Sequence, residues 1–468
     1  MTRREDRRTA SKVLLPGFVG TELPHWLAER LRAGLAGVCL FGDNVVSRDQ
    51  LRALTAAITA ANPDVLIAID EEGGDVTRLY QREGSPYPGN ALLGRIDDTG
   101  YTASVATAVG RELRSVGVNL NFAPDVDINS CADNPVIGVR SFGDEPNAVA
   151  RHGAAWVGAH EATGVATSAK HFPGHGDTAQ DSHVALPVVD LSPAELRARE
   201  LVPFRAAIDA GASTIMSSHI LVPSLDADNP ATFSRTILHD LLRGELGFAG
   251  VVVSDALDMV GASGEIGIPE AAVRAIAAGC DLLCIGTENT GEQLDAIALA
   301  LDAAVEDGRL DATRLADAGD RNVALARSLA AATSEPPADP GFPLARAIDV
   351  FAIASVTRVS GERTVVALET APNIAVGVSP WGPAVAARVR EGEPLPAVRG
   401  QLVLVGKDNH RHAWVRAVVD AARRLHPHTV VVDMGWPDAT RGYADVATFG
   451  ASRHVSEALE TWLEGEAP

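Results

Sequence analysis

The segment GVVVSDALDM, Gly250 to Met259, runs through a short apolar strand pattern and stops on a carboxylate, Asp255. A helical pattern is expected directly after it. Seven other segments share the design: KVLLPGF (12–18), GVCLF (37–41), VLIAIDEEGG (65–74), VNLNFAPDVD (118–127), TSAKHFPG (167–174), STIMSSHI (213–220) and DLLCIG (281–286). Between them lie helix signals. SRDQLRALTAAI opens on Ser47 with Gln50 three residues on, and Leu51, Leu54 and Ile58 share one helical face. SPAELRARELVPF supplies Ser192 as a cap, Pro193 at the first helical position and Glu195 to complete a capping box.

Near-continuous apolar strands alternating with helices imply a parallel sheet covered on both sides. Eight such units suit a (β/α)8 barrel; an open doubly wound sheet is the other solution of the same pattern. Two observations favour the barrel. No Gly-x-Gly-x-x-Gly follows any strand, so the usual dinucleotide site is missing. Polar residues also stand at the C-terminal ends of many strands: Asp70, Asp125, Lys170 with His171, His219 and Asp255. In a barrel those ends converge on one mouth, where chemistry belongs.

A chain of 468 residues exceeds one ordinary core. The Pro-rich, acidic stretch SEPPADPGFP (334–343) reads as a linker. Beyond it TVVALE, NIAVGV, QLVLVG and TVVVDMG read as strands, with a helix AWVRAVVDAARRL between the last two. The expected division is a catalytic barrel over 1–332, a linker over 333–344 and a small α/β, sandwich-like domain over 345–468.

Composition narrows the function. A formal charge of −21 argues against a polyanionic partner such as nucleic acid, since nothing would replace its condensed counterions. No apolar run approaches the roughly 20 residues that span a bilayer, and MTRREDRRTASKVLL has no signal-peptide core. The expectation is a cytoplasmic protein with no membrane or nucleic-acid partner. The four cysteines (Cys39, Cys131, Cys280, Cys284) are scattered, and GCDLLCIG reads as a buried strand rather than a metal knuckle. Only three of the 40 basic residues are lysines, Lys12, Lys170 and Lys407, so a lysine inside a motif draws attention to its chemistry.

Lys170 opens KHFPGHGDTAQDSH (170–183), which places one lysine, three histidines and two aspartates in fourteen residues. His171, His175 and His183 with Asp177 and Asp181 could ligate a metal. Pro173 and Gly174, however, separate the first two histidines where a zinc-binding helix would place them on one face. The other reading is proton transfer: Asp181-Ser182-His183 sets a carboxylate beside an imidazole, which fixes its tautomer and raises its basicity. Asp255 at its strand end could be a nucleophile, a base or a helix cap, with Asp258 better suited to capping or solvent. Asp70 followed by a glycine turn and Arg78 suits hydroxyl recognition, and Arg140 stands on a loop in NPVIGVRSFGDEP.

Taken together, DEEGGDVTR, NFAPDVDIN, NPVIGVRSFG, KHFPGHGDTAQDSH and VVVSDALDM, in that order, resemble glycoside hydrolase family 3, in its β-N-acetylglucosaminidase branch. The resemblance runs through nearly all of the first 330 residues. It implies that Asp255 is the catalytic nucleophile, His183 the general acid/base and Asp181 its orienting partner. It further implies that Asp70, Arg78, Arg140, Lys170 and His171 bind the non-reducing sugar, with no cofactor and no metal. Two departures stand out. The second domain is shorter than in the longer members, which leaves open whether it reaches the site. DEEGG also stands where many relatives read Asp-Gln-Glu-Gly-Gly.

The implied activity is a retaining exo-β-N-acetylhexosaminidase working on GlcNAc glycosides, either peptidoglycan fragments, in a recycling role, or chitooligosaccharides. Because an imidazole does not repel an incoming phosphate as a carboxylate does, phosphorolysis to GlcNAc-1-phosphate is the alternative. A non-catalytic sugar-binding barrel would predict damage at the nucleophile or the acid/base loop, and both are intact.

Overall fold

The computed structural model describes residues 9–178, 186–264, 266–329, 341–354 and 361–465. All eight expected runs are strands of one parallel sheet. They are β1 (Leu14–Leu15), β2 (Gly37–Leu40), β3 (Leu66–Ile69), β4 (Leu120–Asn121), β5 (Ala166–Phe172), β6 (Thr214–Ser217), β7 (Val251–Ser254) and β8 (Leu282–Cys284). The hydrogen-bonded order is β1-β8-β7-β6-β5-β4-β3-β2. The remaining seam closes through Ala36 N–H to Ser11 O and Cys39 N–H to Pro16 O, both 3.0 Å. The doubly wound alternative is thereby excluded.

Alternation along each strand sorts its residues into two layers. Val38, Leu40, Ile67, Ile69 and Val252 face the surrounding helices. Leu15, Cys39, Leu66, Ala68, Phe122, Ala166, Met216, Val251 and Val253 fill the barrel interior. The helices form where the sequence signals them. Ser47 Oγ accepts from Gln50 N–H at 3.2 Å and caps helix Arg48–Ala61, whose buried residues include Leu51, Leu54 and Ile58. Ser192 and Glu195 exchange side-chain and backbone bonds (3.3 and 2.9 Å) as a capping box for helix Pro193–Ala198. None of the helices described is long and apolar enough to cross a membrane.

A second sheet follows, formed by β9 (Ala352–Ile353), β10 (Arg363–Leu368), β11 (Ala387–Val389), β12 (Gln401–Gly406), β13 (Val430–Asp433) and β14 (Val446–Ala447). Its order is β11-β10-β12-β13-β14-β9, parallel except for β9. Helix Ala413–Leu425 coincides with the segment expected from sequence. One expectation fails. NIAVGV (373–378) is not a strand; Asn373 to Val378 form a loop in which Ile374 is 52% and Val378 80% exposed. Its apolar alternation is not spent on pairing. The loop instead reaches the barrel, where Asn373 Nδ2 donates to Pro135 O (2.7 Å) and Val136 O (3.1 Å). The two domains are further tied by Ala451 N–H to Asp75 (2.7 Å) and by the Arg346–Asp98 ion pair (2.8 Å).

Candidate active site

The inward row of side chains carries directly into the barrel mouth. In β3 the interior positions Leu66 and Ala68 continue to Asp70; in β7, Val251 and Val253 continue to Asp255; in β5, Ala166 and Ser168 continue to Lys170. All three of these polar residues line one cavity of about 290 Å³. Strands β3 and β7 are four apart in a ring of eight, so Asp70 and Asp255 come from opposite walls. The β5–β6 register shifts between Ala169 and Phe172, and within that irregularity His171 also faces the cavity.

Asp255 does not cap a helix. Its Oδ1 accepts from the N–H of Ala256 at 2.7 Å. A turn, not the expected helix, follows it, and the next helix is the four-residue Val260–Ser263 with Met259 before it. Asp258 is exposed at the cavity edge. His219, at the end of β6, is buried and committed to Ala256 O (3.0 Å) and Thr232 Oγ1 (3.0 Å).

The opposite wall is a network of buried ions. Lys170 Nζ lies 2.7 Å from Asp70 Oδ1 and 2.8 Å from Glu72 Oε1. Arg140 grips Glu72 with two parallel bonds, Nε to Oε2 at 3.0 Å and Nη2 to Oε1 at 2.7 Å. Burial opposes ionisation of Glu72, but Arg140 and Lys170 outweigh it and hold the carboxyl far below the usual range. Lys170 is likewise kept charged: Asp70 and Glu72 overcome the effect of its burial and raise its pKa. Its ammonium has three donors and, among the described residues, two carboxylate partners, so the third N–H can serve a hydroxyl.

A second acidic pair stands behind. Asp127 accepts from His171 Nδ1 (2.7 Å) and from the N–H of His175 (2.7 Å). Against its burial, His171 and the other donors hold Asp127 below the usual range. The bond fixes the His171 ring and, with the proton on Nδ1, leaves Nε2 facing Arg140 Nη2 at 3.4 Å. Burial and the neighbouring Asp127 push Asp125 well above the ordinary carboxyl range, against the pull of Arg140. Burial lowers His175 to about 4, and its ring is therefore uncharged near neutrality.

Asp125, Asp127 and His171 offer ligand atoms within 4.8 Å of one another. His171 Nδ1 is taken by Asp127 at 2.7 Å and Asp125 Oδ2 lies 3.4 Å from Arg140 Nη2, so a divalent ion there would sit beside a buried cation. Of the metal ligands considered from sequence, His175 Nδ1 bonds Thr178 Oγ1 (2.9 Å) and Asp177 pairs with Arg199. Asp181 and His183 lie outside the described residues. Up to Thr178 the motif is tightly built. Gly176 passes so close to the neighbouring chain that a Cβ would lie 1.7 Å from Ile128 O, and Gly174 (φ +127°) is pressed against Glu200. These glycines serve close packing as well as interrupting regular structure.

Arg78 also lines the cavity, but its guanidinium donates to Ala375 O (2.8 Å) and Val376 O (3.4 Å) of the second domain. Ile374 and Ala375 complete the cavity wall, so the second domain does reach the site. Sequence reasoning missed Glu72, Asp127 and this loop. The first two carried a signal: Asp70 and Glu72, like Asp125 and Asp127, are two residues apart and can share a face. Cys39 and Cys284 both line the cavity, whereas Cys280 Sγ lies 3.9 Å from Thr232 O.

Charged groups arranged to grip hydroxyls, with a solvent-reachable carboxylate on the facing wall, are what a barrel enzyme that cleaves glycosides requires. The chain belongs to glycosyl hydrolase family 3, whose N-terminal domain matches residues 20–325. It is 41% identical over 284 residues to β-hexosaminidase A of Pseudoalteromonas piscicida, a match covering 56% of this chain and 48% of that protein. The match thus spans about half the length of that relative. The structure of a family 3 β-N-acetylglucosaminidase from Paenibacillus sp. str. FPU-7 is similar over 100% of this chain and 97% of its own, with a TM-score of 0.86 and 30% identity. NagZ from Neisseria gonorrhoeae, in complex with N-trifluoroacetyl-D-glucosamine, is similar over 68% of this chain and 98% of its own, with a TM-score of 0.56 and 31% identity.

Proposed function

We propose that this glycoside hydrolase is a retaining exo-β-N-acetylhexosaminidase, with the barrel over 1–332 as its catalytic unit. It releases terminal β-linked GlcNAc from chitooligosaccharides or peptidoglycan fragments; a cytoplasmic role in recycling the latter belongs to the same reading. The observation that carries it is the placement of Asp255 across the mouth from the Asp70–Lys170–Glu72–Arg140 network. A small pocket of this kind accepts one terminal sugar, and the aglycone must leave by the mouth.

In this mechanism Asp70, Lys170 and His171 hold the sugar hydroxyls, and Arg140 and Arg78 brace them. Asp255 attacks C1 while His183, oriented by Asp181, gives its proton to the leaving oxygen. The glycosyl ester on Asp255 is then opened by water, whose proton returns to His183, and GlcNAc departs with its β configuration retained. The β-hexosaminidase and β-N-acetylglucosaminidase activities of the relatives support water over phosphate as acceptor.

The test is turnover of an aryl β-N-acetylglucosaminide with and without millimolar phosphate, followed by identification of the sugar. Free GlcNAc at a phosphate-independent rate is expected. GlcNAc-1-phosphate at a phosphate-stimulated rate would replace hydrolysis with phosphorolysis, and turnover of aryl glucosides alone would overturn the choice of substrate.

A further inference from the structure

Beneath its ion network the pocket has a floor of different chemistry. In an eight-stranded barrel the inward side chains stack in layers of four, each layer supplied by alternate strands. Asp70, Lys170 and Asp255 belong to the odd-numbered strands, following β3, within β5 and following β7. The layer directly beneath belongs to the even-numbered ones: Cys39 in β2, Phe122 just after β4, Met216 in β6 and Cys284 in β8. All four line the same cavity. Branched aliphatic side chains dominate such layers, yet three of these four carry sulfur. The chain has four cysteines and four methionines, and with Met259 half of those eight side chains border this one cavity.

The two thiols approach each other from either side of β1. Cys284 is in register with Leu15 of that strand, and on its other edge Cys39 N–H donates to Pro16 O at 3.0 Å. Both cysteines are free and buried. The Cys284 thiol, and after it burial, push Cys39 well above the ordinary thiol range, which places the two groups within reach of each other. With one strand between them their backbones stand roughly 9 Å apart, wider than the span of about 7 Å that a disulfide can bridge. Two sulfurs so placed can share an ion without moving a strand. Thiolate and thioether donors select soft cations such as Cu(I). One thiol would pass its proton to water and bind as thiolate, while the other coordinates as the neutral thiol. A single positive charge then replaces the proton, and the charge buried beneath Asp70 and Asp255 does not change.

We propose that Cys39 and Cys284, with Met216 in the same layer, form a binding site for a soft monovalent cation of the Cu(I) and Ag(I) class in the floor of the pocket, and that the bound ion competes with the sugar. The binding stands on the geometry of the layer. The competition rests on the exo-hexosaminidase reading above: in a cavity of about 290 Å³, sized for one sugar, an ion on the floor takes space that the sugar needs.

The experiment uses the full chain and silver nitrate in chloride-free buffer, on a Cys131→Ser background that removes the partly exposed thiol. Equilibrium dialysis should find one tightly held Ag+ per chain. Cys39→Ala and Cys284→Ala, each added singly, should weaken it by about a hundredfold, whereas Cys280→Ala, outside the cavity, should leave it unchanged. If one alanine variant fails to fold, the other carries the same test. Unaltered Ag+ binding in the cavity variants would overturn the site. Displacement of Ag+ by equimolar Zn2+ would do the same, since soft donors would then not be choosing the ion. On an aryl β-N-acetylglucosaminide, Ag+ should raise the apparent KM at constant kcat; a fall in kcat at constant KM would overturn the competition with the sugar. Dialysis needs no turnover, so an inactive wild-type chain would end the hydrolase reading while the ion site is judged on binding alone.

Discussion

Glu72 Oε1 is shared by two buried cations, Lys170 Nζ at 2.8 Å and Arg140 Nη2 at 2.7 Å. This carboxylate ties the end of β5 to the loop that follows β4, and it does so without itself lining the sugar cavity. Glu72→Gln should therefore leave two buried cations short of a counter-charge. The expected cost is about 3–5 kcal/mol of stability, read as a lower urea midpoint, together with a raised KM for an aryl glycoside. A variant with unchanged midpoint and KM would contradict this role.

Glu71, the neighbouring residue, gives a pH-dependent prediction. Its side chain accepts from Thr77 Oγ1 (2.9 Å), Arg78 N–H (2.9 Å) and Leu79 N–H (3.0 Å), while Oε1 is buried without a hydrogen-bond partner. Burial raises its pKa to about 7 despite those bonds. The folded state thus holds a proton that the unfolded chain has already lost above about pH 4.5. Stability should fall as pH rises from about 4.5 to 7 and then level off, because over that window the unfolded state binds fewer protons. Glu71→Gln removes the titration and supplies a donor. The stability difference between variant and wild type, read from urea midpoints, should be small at pH 4.5 and favour the variant at pH 8, by up to about 3 kcal/mol. A difference independent of pH would contradict the assignment.

Asn373 anchors the second-domain loop, donating to Pro135 O and Val136 O while its own Oδ1 accepts from Ala375 N–H (2.8 Å). Asn373→Ala should release Ile374 and Ala375 from the cavity wall. At about 1 kcal/mol per bond, the two inter-domain bonds amount to about 2 kcal/mol, so KM should rise by up to roughly thirtyfold. Unchanged kinetics would mean that the loop contributes nothing to binding.

Gly176→Ala tests the packing at the start of the acid/base segment. The added Cβ would lie 1.7 Å from Ile128 O, a backbone atom that cannot turn aside. A loss of about 1–3 kcal/mol and a sharp fall in activity are expected. Activity and melting temperature like those of the wild type would show that the backbone yields freely here.

Asp255→Asn should lower kcat by several orders of magnitude, since in the proposed mechanism it removes the oxygen that attacks C1. His183→Ala should cost much less on an aryl glycoside with a good leaving group than on chitobiose, because only the poor leaving group needs the proton. Equal losses on both substrates would refute the acid role.

Much of the site was legible because a barrel strand points alternate residues inward. Once VVVSD is a strand with Val251 and Val253 inside, Asp255 is the next inward position, and the same parity brings Asp70 and Lys170 to the mouth. Glu72 and Asp127 followed the same spacing, but their work could not be read, because their partners Arg140 and His171 lie 68 and 44 residues away. NIAVGV misled for a related reason: apolar alternation marks a strand only when a neighbour offers a ladder, and here the chain is held by Asn373 and Arg78 instead.

By itself, then, the sequence determined the eight β/α units, their capped helices and the carboxylates, lysine and histidine at the strand ends, since local periodicity and chemistry need no partner to be read. The tertiary structure decided the rest: that the sheet closes, that Glu72 is shared by two cations, that burial drives Asp125 up while its donors hold Asp127 down, and that the second domain supplies Ile374 and Ala375. Each depends on which groups meet across long sequence separations and on the burial that shifts their charges, and neither is encoded in any local stretch of the chain.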